Sequence, residues 1–480
     1  MNDIFPSVYA PQRGGAGESN SEQVPTRPSE NHKARVVIVG GGFAGVAAAR
    51  SLRGCDAIVT LIDRRNHHIF QPMLYQVATA LLAPSEVATP IRQLAIRQKN
   101  LSVILAEVSA LADEERSILT HSPGVGSGRV AFDYLILAPG MQASYFGHDE
   151  FARHAPGLKT VADAELVRTK ILSAYELAEE TEDPVERRRL LTFVLVGAGP
   201  TGVELAAAVT GLAHATLRSS FRRIDPAESR ILLIEAGKRI LPSFDETLAG
   251  KAAKRLARLG VEVLTETKVE QIDAQGVFVS GQRIESATVL WTAGVAPAPI
   301  LKDLHAETDR AGRISVSPNM EVPERPGIFV VGDAAALSQD GRPLPGVAQV
   351  AIQQGRYVGQ LIRARIEGRT WARPFHYFDK GNMAIVGRNF ALLESRWLRM
   401  SGYVPWLIWG TIHLMFLPQI QSRLRVAGQW LWWWLTDQRS SLLIPETRFA
   451  LTEERQRNLT GGSHDSINDD TDTRRHSAHA

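Results

Sequence analysis

Two stretches of this chain carry one pattern at a spacing of 157 residues: Val36–Gly45 reads VVIVGGGFAG and Phe193–Gly202 reads FVLVGAGPTG. In each, an apolar run rich in β-branched residues reads as a buried strand. Glycines then open an alanine-rich helix, at Gly40, Gly42 and Gly45 in the first copy and at Gly197, Gly199 and Gly202 in the second. The first glycine of such a triplet makes the tight turn, and the second lets backbone approach a diphosphate. The third lets helix and strand pack closely, so the N–H groups of the helix start face the phosphates. Each following strand closes on an acid. Asp63 stands eighteen residues past Gly45 and Glu235 thirty-three past Gly202, the longer interval holding LAHATLRSSFRRIDPAESR, expected to extend the helix and add a loop. A carboxylate there grips a ribose. Glu235 can bond the 2′- and 3′-hydroxyls of NAD and would repel an NADP 2′-phosphate, although Lys238 and Arg239 beside it leave some NADP use open.

The repeat makes the expected fold class α/β, with two Rossmann-like dinucleotide-binding units, the second inserted in the first. A chain of 480 residues has room for roughly two to four domains with well-buried cores. At 44% hydrophobic and 22% charged it has the composition of an ordinary globular protein. A formal charge of +3 is too small to argue for nucleic acid, and no nucleic-acid partner is expected. The single cysteine, Cys55, excludes a disulfide framework, a CxxC redox pair and a thiolate metal site. His67 and His68 lack helical spacing and nearby carboxylate partners, so they read as structural or cofactor-edge histidines, and no metal site is expected. Residues 1–33 and 455–480 read as disordered polar tails. No apolar stretch suited to secretion follows the start, and Asp3, Glu18, Glu22 and Glu30 argue against a transit peptide.

Other segments complete the two units. Asp245–Leu259 places Leu248, Ala252, Leu256 and Leu259 on one helical face, with Gly260 as its stop. ATVLWTAG is a strand whose turn, ending at Gly294, returns the chain to the first unit. Gly327–Leu337 (GIFVVGDAAAL) reads as a buried strand ending at Gly332 and Asp333 and then a helix. An acid there can bond ribityl or ribose hydroxyls while the helix N–H groups meet the diphosphate.

The GGGFAG start, the inserted GAGPTGVE unit and the late VVGDAA motif resemble the two-dinucleotide flavoprotein superfamily. Within it, Phe70–Ala80 (FQPMLYQVATA), Ala348–Gln354 (AQVAIQQ) and the WLxWGxIHL run from Trp406 to Leu414 resemble type II NADH:quinone oxidoreductases. The resemblance runs from about residue 34 to 448. It implies FAD in the first site, NADH as the substrate of the second, and a peripheral membrane enzyme passing two electrons to a membrane quinone without pumping protons. It also implies that the strand ending in Ala138-Pro139-Gly140 returns the chain to the cofactor, and that Glu204 lies close to nicotinamide and flavin, where it supports proton delivery. For Glu204 the other reading is a carboxylate stabilising the start of its helix. Gln349 and Gln353, four apart, share a helical face. By resemblance they line the quinone site, while capping and helix packing are the alternative. Lys380 matches a family position near the quinone tunnel, where an ammonium could stabilise negative charge on a quinone oxygen; on its own it would read as a surface lysine. Cysteine-pair relays, used by disulfide and sulfide:quinone reductases of the superfamily, are excluded by composition.

The C-terminal third changes character. Between Arg363 and Arg448 twelve Lys/Arg face five Asp/Glu, a net +7, yet Met400–Ser422 holds no formal charge. Trp406, Trp409, Trp430, Trp432, Trp433 and Trp434 crowd the region. Pro405 and Pro418 leave about 20 Å of uninterrupted helix against about 30 Å of hydrocarbon, too short to span. Two amphipathic helices lying in the interface, with arginines on an anionic lipid surface, fit better. A dimerisation surface or core packing is the alternative, and a homodimer would double the membrane footprint. The expected division is an FAD-binding part at 34–160, an NADH-binding domain at 161–290, a second FAD part with the quinone-site helix at 291–370, and a membrane-association domain at 371–450. The expected place is the cytoplasmic face of a bacterial inner membrane. Two other functions fit a two-nucleotide flavoprotein: a soluble NADH-dependent reductase of a small electron-carrier protein, and a membrane-tethered NADH-sensing flavoprotein with slow turnover.

Overall fold

The computed structural model describes residues 33–371 and 373–445; the expectations for the two tails fall, Lys33 apart, outside the described residues. β1 (Ala34–Val39) runs into the first glycine turn and α1 (Phe43–Ser51), and β2 (Ala57–Asp63) returns beside it. A short 3-10 turn leads to α2 (Leu74–Ala78), and β3 (Leu101–Leu105) follows. A three-stranded antiparallel sheet, Glu107–Ala112, Ser117–Ser122 and Gly126–Ala131, then precedes β4 (Tyr134–Leu137).

The second unit begins with α3 (Val161–Glu180), whose start is closed reciprocally: Thr160 Oγ1 accepts from Asp163 N at 3.0 Å, and the Asp163 carboxylate accepts from Thr160 N at 2.8 Å. β5 (Thr192–Val196), α4 (Pro200–Gly211), β6 (Arg230–Ile234), α5 (Glu246–Leu259), β7 (Val261–Leu264) and β8 (Thr288–Trp291) follow. The sheet runs β7-β6-β5-β8, all parallel. As the sequence predicts, a π-helical turn, Leu212–Thr216, and a loop lengthen the path from α4 to β6. α5 starts on Asp245, whose carboxylate accepts from Thr247 N, buries Leu248, Ala252 and Leu256, and stops at Gly260 with φ 90°.

β9 (Ile328–Val330) then joins the first sheet, giving the order β9-β4-β1-β2-β3, again all parallel. In both sheets the strand order reverses at the strand that carries the glycine turn, and a ligand crevice opens at such a reversal. One expectation fails here. No helix follows Gly332 and Asp333: a 3-10 turn, Gly332–Ala334, is all that forms. Gly332 takes φ 76°, off the helical path, and Ala335–Ala336 pairs with Ile314–Ser315, so the backbone groups a helix would use go into a ladder. The next helix is α6 (Ala348–Ile366), which lies on α1 with almost no spacing. A Cβ on Gly355 would sit 2.0 Å from the Ala44 carbonyl oxygen, and one on Gly359 would sit 2.7 Å from that of Ala48.

The chain ends in an antiparallel meander, β10 (Asn382–Ile385), β11 (Ala391–Glu394) and β12 (Arg399–Gly402), followed by α7 (Tyr403–Phe416) and α8 (Ile420–Thr436). Pro405 falls in the first turn of α7, where a missing N–H costs nothing. These helices have two faces. Trp409, Leu417 and Val426 are buried in the core that α2 shares with the second unit, whereas Leu407, Met415, Ile420, Leu424, Leu431 and Leu435 are exposed. Among the described residues no helix is long and apolar enough to cross a membrane.

Because α6 touches α1 through backbone at two glycines, Gly355→Ala must force the helices apart. The expected cost is about 1–3 kcal/mol. A lowered midpoint of thermal unfolding, together with weakened retention of FAD, is the readout; unchanged stability would mean that the contact is compliant.

Candidate active site

The two glycine turns are built alike to within tenths of an ångström. Gly40 N donates to Ile62 O and Gly197 N to Ile234 O, both at 2.8 Å. The next residue's N–H donates to the acid at the strand end: Gly41 N to Asp63 Oδ2 at 2.6 Å, and Ala198 N to Glu235 Oε2 at 2.7 Å. The second oxygen of each acid accepts from the chain beyond it, Arg65 N at 2.7 Å and Gly237 N at 2.8 Å. A carboxylate has about four acceptor positions, so both acids keep capacity for a ribose hydroxyl.

The glycines test whether nucleotides fit. A Cβ on Gly40 would strike the Ala138 oxygen at 2.1 Å, and one on Gly197 would strike Ala293 N at 2.6 Å. Cβ atoms on Gly45 and Gly202 would each lie 1.9 Å from the carbonyl oxygen of the first glycine in their own turn. The middle glycines differ: Gly42 and Gly199 face nothing within 4 Å, at the starts of α1 and α4. Open space in front of unpaired helix N–H groups is what a diphosphate requires. Gly140 (φ 69°) and Gly294 (φ 68°) end the return turns, and directly beyond them Met141–Ala143 pairs antiparallel with Val295–Pro297, tying one unit to the other.

Asp333 lies deep near this junction. Burial pushes its carboxyl up, with Lys159 and Arg313 pulling the other way, and burial pushes Lys159 down against the pull of Asp333. Gly332 N donates to Gln354 Oε1 at 2.7 Å, so a side chain of α6 takes up a backbone N–H of this turn.

Glu204 projects from the second turn of α4 toward β10, where its Oε1 accepts from Ile385 N at 3.3 Å. That bond goes to another element, not to the N-terminus of its own helix. The residue keeps some exposure, but the carboxyl sits deep in protein, and burial pushes it up to about 8. Gln349 and Gln353 do share a face, and both amides grip one segment. Gln349 donates to Gly381 O at 2.9 Å and accepts from Lys380 N at 3.2 Å, while Gln353 donates to Phe378 O at 2.9 Å and accepts from Phe378 N at 3.0 Å. The packing alternative thus accounts for the bonds these amides make here. The Lys380 side chain is exposed, with its Nζ 5.9 Å from the centre of the Phe416 ring on α7.

Arg239, weighed above as a partner for a 2′-phosphate, donates instead to the carbonyls of Leu241, Pro242 and Phe244. His68 is buried with Nδ1 2.9 Å from Gly41 O and its ring edge-on to Phe43; burial lowers its pKa. Among the described residues no group of His, Cys, Asp and Glu could hold a metal. Cys55 is buried, and burial raises its thiol. Sequence reasoning missed Gln354, Lys159, Tyr75, Gln76 and Arg439. A polar Tyr-Gln pair inside the apolar run of residues 70–82 was the one local signal for two of them.

With Arg239 committed to carbonyls, Glu235 and Lys238 are the charged side chains that remain to test against the nucleotide. Glu235→Ser should raise the apparent KM for NADH several-fold and narrow the gap to NADPH, read from steady-state rates with each. An unchanged preference would place the ribose elsewhere.

Residues 34–355 match the family described as pyridine nucleotide-disulphide oxidoreductase. The chain is 41% identical over 448 residues to the type II NADH:quinone oxidoreductase Ndh of Mycobacterium tuberculosis, covering 91% of this chain and 95% of that one. It is 31% identical to the mitochondrial internal alternative NAD(P)H-ubiquinone oxidoreductase A1 of Arabidopsis thaliana, with 84% of each covered. In fold it is similar to NDH2 from Plasmodium falciparum in complex with NADH, with a TM-score of 0.78 at 19% identity over 84% of this chain and 98% of that one. Shared sequence over nearly its whole length, on the same doubled glycine-turn framework, means that this chain belongs to the pyridine nucleotide-disulphide oxidoreductase family and, within it, to the type II NADH:quinone oxidoreductases.

Proposed function

We propose that this protein is a non-electrogenic NADH:quinone reductase, in which NADH, one proton and a membrane quinone give NAD+ and quinol. FAD supplies the two-electron relay between donor and acceptor. The chain's own residues bind, orient and supply the proton. In this reading Gly40, Gly42, Gly45, Asp63, Gly140, Gly332 and Asp333 hold FAD, within a unit made of residues 34–160 and 291–370. Gly197, Gly199, Gly202, Glu235 and Gly294 hold NADH within 161–290. Glu204, protonated up to about pH 8, provides the proton that quinol needs beyond the hydride of NADH.

The observation that carries the reading is the route from Gln349 to lipid. Its amide holds the backbone at Lys380 and Gly381, and the Lys380 ammonium lies over Phe416, on a helix whose outer face is apolar and exposed. A quinone, itself apolar, would enter by that edge, with Gln349, Gln353 and Lys380 around its head. Residues 371–450 then serve as the membrane-association region. Exposed Leu424, Leu431, Trp432 and Leu435 would enter the headgroup boundary beside Arg425, with the protein peripheral on the cytoplasmic face of the membrane and paired as a homodimer.

The test is NADH oxidation on lipid vesicles with and without a short-chain quinone. Turnover should require quinone; turnover that instead requires an acidic carrier protein and fades with salt would overturn the proposal. Gln349→Ala should slow quinone reduction by on the order of ten-fold while single-turnover bleaching of bound FAD by NADH changes little. Equal damage to both would remove Gln349 from the acceptor side. The double variant Leu424→Glu, Leu435→Glu should leave FAD bound but shift the protein from sedimenting vesicles into the supernatant. Unaltered sedimentation would assign the apolar face to another partner.

A further inference from the structure

One turn of the first unit is pinned at both ends so that an isoleucine between them stands in solvent. After a short helix, Ile91–Ala95, the chain runs Ile96-Arg97-Gln98-Lys99-Asn100 into β3. Ile91 is buried, and its N–H donates to Asn66 O at 2.8 Å. Gln98 is buried too. Its amide donates to Ala49 O on α1 at 2.7 Å, and its N–H donates to Ala95 O at 2.8 Å. Asn100 Nδ2 donates to the carbonyls of Leu52 at 2.9 Å and Cys55 at 3.1 Å. Ile96, held between these anchors, is 81% exposed. One exposed apolar side chain is ordinary on a protein surface, so its surroundings decide what it means.

Those surroundings have one sign. Arg92, Arg97 and Lys99 are exposed around Ile96, and from Val87 to Ala106 the chain contains no Asp or Glu. Glu86, just before, spends its Oε2 on Ala83 N at 2.7 Å, and Glu107, just after, lies 3.7 Å from Arg64. The turn is also tied to the start of α8. Gln419 Nε2 donates to Gln93 Oε1 at 2.7 Å, and Gln93 and Ile96, three apart on one turn, share a side. Directly after Gln419 come Ile420 and Leu424, both exposed, with Arg425 beside them. Farther along, Trp430 donates its indole N–H to Gln76 Oε1 at 2.7 Å, and Arg439 donates to the carbonyls of Thr79 and Ala208, so α8 is fixed against the body of the molecule. Ile96, Ile420 and Leu424 thus gather around the bond between Gln93 and Gln419, among four cations.

We propose that the turn Ile91–Asn100 is a second lipid-contact site, in which Ile96 enters the headgroup boundary of an anionic membrane while Arg92, Arg97 and Lys99 meet its phosphates. The inference rests on the membrane reading of α7 and α8 and deepens it. Those helices pack in the core that α2 shares with the second unit, whereas Ile91 belongs to the core of the first. Contact at both puts each nucleotide unit on the bilayer and fixes how the molecule tilts there. A second copy of the chain suits the patch less well. A symmetric pairing centred on it would set cation against cation, with little apolar area to hold them together.

The experiment reads position 96 directly. Cys55, the single cysteine, is buried, so Ile96→Cys supplies one accessible thiol for a nitrobenzoxadiazole label. On the FAD-loaded full chain, vesicles of phosphatidylcholine and phosphatidylglycerol should shift the label's emission to the blue, and lipid brominated in the upper acyl chain should quench it. A shift that brominated lipid leaves unquenched would put a protein against the patch, and no shift would leave it in water; either overturns the inference. Leu424→Cys, labelled in the same way, separates the two readings. A response at 424 without one at 96 removes this turn and keeps α8 on lipid, whereas silence at both removes the membrane reading as well. Ile96→Glu should weaken sedimentation with the same vesicles by on the order of ten-fold, and undiminished binding would overturn the proposal. Arg97→Gln together with Lys99→Gln should weaken it several-fold there and leave binding to pure phosphatidylcholine unchanged. FAD content and bleaching of FAD by NADH should stay at wild-type values, since all three side chains are exposed.

Discussion

In both glycine turns a helix rests on a carbonyl oxygen with no room for a carbon atom between them. The third glycine of each turn, Gly45 and Gly202, would put a Cβ 1.9 Å from the carbonyl oxygen of the first. That approach holds α1 against β1 and α4 against β5, and thereby aims the open helix starts at Gly42 and Gly199. The acid at the end of the neighbouring strand depends on the same approach. Asp63 and Glu235 can each reach an N–H of the turn only while the turn stays tight. The placement of both acids and the fold therefore share one constraint, applied twice.

On the helix that follows the second turn the protein keeps a carboxyl that water would ionise and the interior does not. Glu204 has one weak backbone donor, from Ile385, and burial outweighs it, so the group is held near 8. Asp63 and Glu235 each accept two backbone N–H bonds at 2.6–2.8 Å, and each keeps acceptor positions for a hydroxyl. Carboxylates on matching frameworks thus take different work according to how many donors the main chain offers them.

Much of this was readable in the residues, and what was not shares a cause. The strands, both glycine turns, the acids at the strand ends beside them and the buried stripe of α5 follow from periods of two to four residues, and each formed as expected. The helix anticipated after Gly332 and Asp333 did not form, because a strand more than twenty residues upstream, Ile314–Ser315, claims the backbone at Ala335 and Ala336. The shared face of Gln349 and Gln353 was visible in their spacing, but its occupant, the segment at Phe378–Gly381, was not. Trp430 and Gln76 are 354 residues apart, and Arg439 and Thr79 are 360 apart. No local pattern encodes such a pairing; it exists only once both units are folded and the C-terminal helices lie across them.

That distance explains why α8 and the segment after it carry buried polarity beneath an apolar outer face. A helix whose only task was to sit on lipid could be apolar inside as well, and burying a guanidinium would gain it nothing. Here Arg439 is fully enclosed, burial pushes it down to about 9, and its hydrogen bonds end on the helices that bear Tyr75 and Glu204. Breaking such a contact leaves a charge stranded in low dielectric, so the C-terminal segment can occupy one seat and no neighbouring one. The quinone site proposed at this edge needs that: the side proposed to meet the acceptor must be registered against the side that carries Glu204. Apolar packing alone tolerates small slips, whereas a directional chain of donors and acceptors does not.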